Sequence, residues 1–288
     1  MKPTAILTSD WHIRDSQPEC RTDDFEAAQW EKIDFIAALQ RKYKCPVLHA
    51  GDLFHHWKPS PYLLAKTIQH LPDQFHTIYG QHDLPQHNLE LRHKSGIYVL
   101  EQAGALRVLE GTHWGQSPVS SFISNHAVLV WHKMVWIKDS PYPGAPGDGE
   151  AYKVLRKYGK NVELILTGDN HQSFIATGEN CILVNPGNIT RQTAAQVDFS
   201  PCVYLWDAEM SGDTKPIYLP IKKGVVSREH IQHKQEQDAR ISAFVERLDS
   251  GEMDSVNFET NLAQFFEINK GKIRQSVVDI INKSLEEA

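Results

Sequence analysis

The sequence predicts a layered α/β fold, an α/β/β/α sandwich of two packed mixed sheets flanked by helices. Three observations predict it. Short apolar runs alternate with amphipathic helix-length segments as far as Tyr79, strands dominate after residue 105, and the chain turns polar and helical after Gly224. With 288 residues the chain can hold one large domain and an appendage. The expected division is 1–224 for the sandwich and 225–288 for a helical C-terminal segment.

The first strand is expected at Ala5-Ile6-Leu7-Thr8, where an apolar run gives way at once to polar residues. That suits a buried parallel strand whose C-terminal end opens into a loop. Asp24 to Lys42 reads as a helix, with Phe25, Ile33, Ile36 and Ala37 on one face and Asp23 or Asp24 as its cap. A strand at Pro46–Ala50, a helix from Ser60 to Leu71 and a strand at Phe75–Tyr79 complete a βαβαβ pattern.

Further strands are expected at Leu106–Leu109, Val119–Ile123, Ala127–Trp131, Leu164–Thr167, Ser173–Thr177, Ile182–Val184 and Val203–Trp206. A helix from Gly149 to Tyr158 interrupts them, and the Pro/Gly-rich stretch from Lys138 to Gly149 reads as a mobile loop beside the site. In the tail, three sets of apolar residues share helical faces. They are Ile241, Phe244, Val245 and Leu248; Phe258, Leu262, Phe265 and Phe266; and Ile273, Val277, Ile280, Ile281 and Leu285. These faces can pack on the core or dock onto a partner protein.

Composition narrows the class. A hydrophobic share of 41% with 23% charged residues is that of a soluble globular protein, and no apolar run approaches the roughly 20 residues of a membrane span. Met1-Lys2-Pro3-Thr4 lacks a signal-peptide core, and four scattered cysteines are expected as reduced, partly buried thiols. A cytoplasmic location is therefore expected. The net charge of −6 excludes a generally basic surface. It does not exclude nucleic acid, since bound divalent cations supply local positive potential.

Five short segments carry the chemistry: Ser9-Asp10-Trp11-His12, Gly51-Asp52-Leu53-Phe54-His55, Gly80-Gln81-His82-Asp83, Trp131-His132 and Gly168-Asp169-Asn170-His171. Each follows an apolar run. Asp10 and His12 are one residue apart, so in an extended segment both side chains project to one side and reach one metal. Asp169 and His171 repeat that spacing. Asp52 stands at a strand tip, and its two oxygens can bridge two cations about 3.5 to 4 Å apart. Mixed oxygen and nitrogen donors suit Mn²⁺, Fe²⁺ or Zn²⁺ better than Mg²⁺ or Ca²⁺.

The order of these motifs resembles that of the calcineurin-like metallophosphoesterase superfamily, over about residues 4 to 200. Within it the sequence is most similar to the DNA-repair nuclease branch, the SbcD subunit of the SbcCD complex and its counterparts. Thr8-Ser9-Asp10-Trp11-His12, Gly51-Asp52-Leu53-Phe54-His55 with Pro59-Ser60, and Asn185-Pro186-Gly187-Asn188 carry that likeness, although serine is more usual than Asn188. The protein phosphatase branch fits worse, having Asp-Arg where this chain has His55-His56 and Glu where it has Asp83.

The resemblance implies a first metal held by Asp10, His12, Asp52 and His171, and a second held by Asp52 as bridge, Gln81, His132 and Asp169. Manganese is the expected ion, with iron or zinc as alternatives. His82, paired with Asp83, would assist the leaving oxygen, and His55 would contact the substrate phosphate. Two positions depart from the common pattern: Gln81 stands for asparagine and Asp169 for histidine. The added carboxylate is expected to favour harder cations such as Mn²⁺ and to attract phosphate less strongly.

The implied activity is a DNA exo- or endonuclease working with an SbcC-like ATPase gripped by the C-terminal helices. A homodimer is a further expected assembly. Arg14, Trp57, Lys58, Lys133, Lys138 and Arg191 are candidates to line a DNA groove, with Trp11 and Trp57 as stacking platforms. The segment after Gly224 is short for the branch, so a capping region is expected to be reduced or missing. The alternatives are a stand-alone phosphodiesterase or phosphatase for nucleotides or other small phosphates, and a non-catalytic binding protein with an eroded second metal site.

Overall fold

A computed structural model describes residues 2–137, 145, 147–209, 213–229, 231, 235, 238–243, 262, 265–269 and 273–286. One sheet contains β1 (Ala5–Thr8), β2 (Val47–His49), β3 (Phe75–Thr77), β4 (Arg107–Val108), β10 (Cys202–Asp207) and β11 (Asp213–Tyr218), in the order β11-β10-β1-β2-β3-β4. The other contains β5 (Ser121–Ile123), β6 (His126–His132), β7 (Leu164–Gly168), β8 (Phe174–Thr177) and β9 (Ile182–Asn185), in the order β5-β6-β7-β9-β8. Both sheets are mixed, with β1 to β4 parallel in one and β6, β7 and β9 parallel in the other.

Side-chain alternation builds the layers. Along β1, Ile6 faces one core while Ala5 and Leu7 face another; along β6, Leu129 and Trp131 part from Val128 and Val130 in the same way. The middle core lies between the sheets and joins Leu7, Leu48 and Trp206 to Val130, Leu164 and Val184. The outer cores pack the first sheet against α1 (Phe25–Tyr43), α2 (Pro61–His70) and α3 (Gly96–Gln102), and the second sheet against α4 (Ala151–Tyr158). The result is the α/β/β/α sandwich that the sequence predicts.

Local signals explain the helix ends. Asp24 caps α1 by accepting from the Ala27 N–H at 2.9 Å, and Lys44 closes it in a left-handed conformation with φ 55°. Ser60 caps α2, with Pro61 in its first turn. A strand and a helix escape the sequence reading, as do short 3-10 turns such as Leu89–Lys94. β11 contains Pro216 and alternates weakly because it is an edge strand, and α3 is short and opens on Gly96.

The chain divides into two compact units, Met1–Arg228 and Glu229–Ala288. The first runs past the boundary expected at 224 because its last residues are tied down. Thr22 N–H donates to the Val225 carbonyl at 3.1 Å, Ser227 N–H to that of Cys20 at 2.7 Å, and Val226 packs on Cys20 and Ala194. In the second unit α5 (Gln275–Glu286) carries Val277, Ile280 and Ile281, and the rings of Phe265 and Phe266 lie 6.2 Å apart. Phe244, Val245, Leu248 and Phe258 lie outside the described residues, as do Lys138 and most of the loop that follows it. All four cysteines are buried and unbridged, and no helix among the described residues is long and apolar enough to cross a membrane.

Candidate metal centre

Parallel strands point their C-terminal ends to one edge of each sheet, where ligands of open α/β folds collect. Asp10 and His12 follow β1, Asp52 follows β2, and Gln81 to Asp83 follow β3. His132 ends β6 level with Gly168, the last residue of β7, so Asp169 and His171 come next to it.

The exits are not extended. Asp10, His12, Asp52 and Asp169 all have left-handed backbone, with φ of 50, 46, 57 and 77°. Asp10 and His12 therefore do not reach their common site by strand alternation, as the sequence spacing suggests. They reach it through a curled segment pinned to the next strand's exit: Asp10 N–H donates to the Gly51 carbonyl and His12 N–H to that of Asp52, each at 3.0 Å. Gly51, at φ 92°, lies so close to His132 that a Cβ there would stand 2.6 Å from the ring's Nδ1.

Three groups of donor atoms, each within 4.8 Å of one another, form at these exits: Asp10 with His12 and His171, Asp10 with Asp52 and His132, and His12 with His55 and His82. His12 and His171 bring their Nε2 atoms to 3.1 Å, the spacing of two nitrogens each roughly 2.1 Å from one ion. Asp52 Oδ2 lies 3.7 Å from His12 Nε2 and 3.5 Å from His132 Nε2, so one oxygen faces both groups. Its other oxygen accepts the His82 N–H at 2.9 Å. His132 Nδ1–H donates to the Ala50 carbonyl at 2.6 Å, which turns Nε2 toward Asp52 as metal-ligating histidines require.

Asp10 Oδ2, Asp52 Oδ2, Gln81 Oε1 and His132 Nε2 are buried and have no hydrogen-bond partner. Such groups are rare in folded proteins, and a coordinated cation would satisfy them. The donor set fits divalent metal. Electrostatics agree: burial opposes charge on His132, but Asp52, Asp10 and Asp169 outweigh it and raise its pKa to about 10. Burial, reinforced by Asp52, lifts Asp10 to about 8. A divalent cation would relieve this crowding of carboxylates.

Asp83 does not pair with His82. Its buried carboxylate accepts N–H groups from Asp52 (2.8 Å), Leu53 (3.3 Å), Phe54 (3.1 Å) and Gly80 (3.0 Å), so it ties two strand exits together. His82 instead donates Nδ1–H to the His55 carbonyl at 3.0 Å, and its ring stacks on His55 with centroids 5.7 Å apart. Burial, with Arg14 and His82 adding to it, lowers the His55 pKa to about 4. Neutral His55 and nearby Arg14 form the rim.

Several groove candidates serve the fold. Trp11 is buried, donates to Thr8 Oγ1 at 2.7 Å and packs on Phe75, because it faces the helix-side core. Arg191 is buried and donates to the Val197 and Lys222 carbonyls. Lys133 pairs with Asp148 at 2.9 Å. Trp57 is half-buried beside His56, and Lys58 is exposed. The Asn185-Pro186-Gly187-Asn188 turn supports the His171 loop: Asn185 Nδ2 donates to the Asn170 and Gln172 carbonyls at 2.6 Å, and Ser9 donates to Gly187. Sequence reading missed the Ala50 and His55 carbonyls, since a main-chain acceptor leaves no residue-type signal.

Comparison with solved structures finds an archaeal phosphodiesterase at 13% identity and TM-score 0.45, covering 75% of this chain and 99% of that one. A conserved uncharacterized protein of Streptococcus pneumoniae TIGR4, described as a predicted phosphoesterase, matches at 12% identity and TM-score 0.34, covering 70% and 80%. A search of curated protein sequences gives no match. The family model for the calcineurin-like phosphoesterase superfamily domain matches residues 4–208, a span that contains every metal-facing side chain described above. The chain belongs to the calcineurin-like phosphoesterase superfamily.

Proposed function

We propose that the chain is a two-metal phosphodiester hydrolase of the DNA-nuclease type. The observation that carries the two-metal reading is Asp52 Oδ2, a buried oxygen without a hydrogen-bond partner that faces His12 on one side and His132 on the other. Asp10, His12, Asp52 and His171 would hold one ion; Asp52, His132 and Gln81 would hold the other, with Asp10 and Asp169 beside it. Bound divalent ions, Mn²⁺ being the best match to this donor set, activate water and neutralise the phosphate oxygens. The chain's own residues do the rest. The Ala50 carbonyl fixes the His132 ring, and Asp83 holds the loop that presents Asp52. His82, anchored through Nδ1–H, leaves Nε2 as the atom that would carry a second proton, and only the doubly protonated ring would hand that proton to the leaving oxygen and return to its neutral form. His55 and Arg14 line the same rim as donors to a substrate phosphate.

DNA as substrate rests on the motif likeness to the SbcD-type nucleases. With it go an SbcC-like ATPase docked on the helical C-terminal segment and a homodimeric assembly. One observation favours a second reading, hydrolysis of small phosphodiesters: Trp11, Arg191 and Lys133 are engaged within the protein, which leaves fewer groups to follow a DNA strand. Degradation of end-labelled DNA and hydrolysis of bis-p-nitrophenyl phosphate, both with Mn²⁺, separate them. Activity on both substrates is expected. Activity on the small diester alone would establish the second reading, and inactivity on both would refute hydrolysis.

A further inference from the structure

Gln81 and Asp169, the two positions that depart from the superfamily pattern, touch each other. Gln81 Nε2 donates to Asp169 Oδ1 at 2.6 Å, joining residues 88 positions apart in the chain. The remaining amide atom, Gln81 Oε1, is buried and has no hydrogen-bond partner. Nitrogen and oxygen of a planar amide are fixed relative to each other, so tying one to Asp169 sets the direction of the other. Gln81 is also placed at the centre: the residues on either side of it, Gly80 and His82, both lie against Asp52.

Asp169 is itself held. Its N–H donates to Asp10 Oδ1 at 3.0 Å, and its backbone is left-handed at φ 77°, a conformation that aspartate and asparagine tolerate. Among the described residues, the carboxylate grouped with Asp52 and His132 is that of Asp10, not that of Asp169.

We infer that Gln81 and Asp169 work as one unit, in which Asp169 is a positioning residue and Gln81 Oε1 is the metal donor. The inference rests on the two-metal reading above, and it replaces the direct ligation by Asp169 expected from the sequence. Stem lengths give the reason. An asparagine at position 81 is one methylene shorter and could not span to Asp169 while keeping its oxygen in place. A histidine at position 169 cannot accept from the Gln81 amide while its ring nitrogen binds a cation. Each superfamily residue therefore disrupts the unit when introduced alone, while the two together restore the other workable arrangement. An amide oxygen backed by a carboxylate also makes a harder site than an imidazole, which favours Mn²⁺ over Zn²⁺.

The test is Mn²⁺ titration, followed by the electron paramagnetic resonance of free Mn²⁺, on Gln81→Asn, Asp169→His, the double variant, Asp169→Asn and Asp169→Ala. Each family-like single change, and Asp169→Ala, should weaken the weaker of two sites about tenfold or more, the usual effect of removing a residue that orients a ligand. The double variant and Asp169→Asn, which still accepts from Gln81, should stay within about threefold of wild type. If Asp169→Asn loses as much as Asp169→Ala, the carboxylate is a direct ligand and the inference fails. Additive losses in the double variant overturn it as well.

Urea unfolding of the same set in EDTA reads the hydrogen bond without metal. Non-additive changes are expected, and strict additivity refutes the pairing whatever the metal does. Fewer than two Mn²⁺ ions per wild-type chain, with coupling retained in EDTA, would sink the two-metal reading and the donor role of Gln81 while leaving the pair itself standing.

Discussion

Asp10, His12, Asp52 and Asp169 present their side chains from left-handed backbone, a conformation that costs a non-glycine residue of order 1 to 3 kcal/mol. Four such residues at the ends of three strands mark where the fold gives up stability for geometry. Their identities were legible in the sequence, since carboxylate and imidazole recur after apolar runs. Their backbone was not, because nothing but glycine advertises positive φ. The Gln81–Asp169 contact was equally hidden, being set by how β3 and β7 converge.

A residue outside the metal groups sets a pH dependence. Tyr79 N–H donates to His113 Nδ1 at 3.2 Å, which requires that nitrogen to be unprotonated. Burial, helped by Arg92, lowers the His113 pKa from 6.5 to about 4. Between those values the unfolded chain binds the proton and the folded chain does not, so stability falls as pH drops from 6.5 toward 4 and no further below it. The contribution lost at pH 5 is about 2 kcal/mol. His113→Gln keeps an acceptor for Tyr79 and removes the titration. Urea midpoints at pH 7 and pH 5, in EDTA, should differ by less in the variant than in the wild type, the other depressed histidines keeping their share; an unchanged acid loss would show that His113 does not carry its part.

Among the elements, the parallel strands mattered most, and they were the most legible. β1, β2, β3, β6, β7 and β9 stand where apolar runs predict, because strands buried on both faces cannot hide their composition. β11 and α3 were missed, one on an exposed edge and one short. What joins the strand exits was misread. Asp83 followed His82 in sequence and was assigned to its ring, whereas its carboxylate collects main-chain N–H groups from the β2 and β3 exits. Asp83→Ala leaves those buried donors unpaired and should destabilise the protein by about 3 to 5 kcal/mol, with Asp83→Asn costing less. Equilibrium denaturation of both variants checks this. A loss below about 1 kcal/mol for the alanine variant would mean that the loops hold without the carboxylate.

For the whole molecule, the sandwich sets two mixed sheets so that β1, β2 and β3 from one and β6 and β7 from the other deliver ligands to one edge. A net charge of −6 gives phosphate substrates no general attraction, so the positive potential has to arise at the centre itself. Asp52 links both halves of that centre and is the residue on which the two-metal claim turns. Metal content of the purified chain after Mn²⁺ loading, compared with Asp52→Ala, is the most direct measurement. The account predicts two ions per wild-type chain and loss of both in the variant, with the fold retained by circular dichroism. A variant that keeps one tightly bound ion would contradict it.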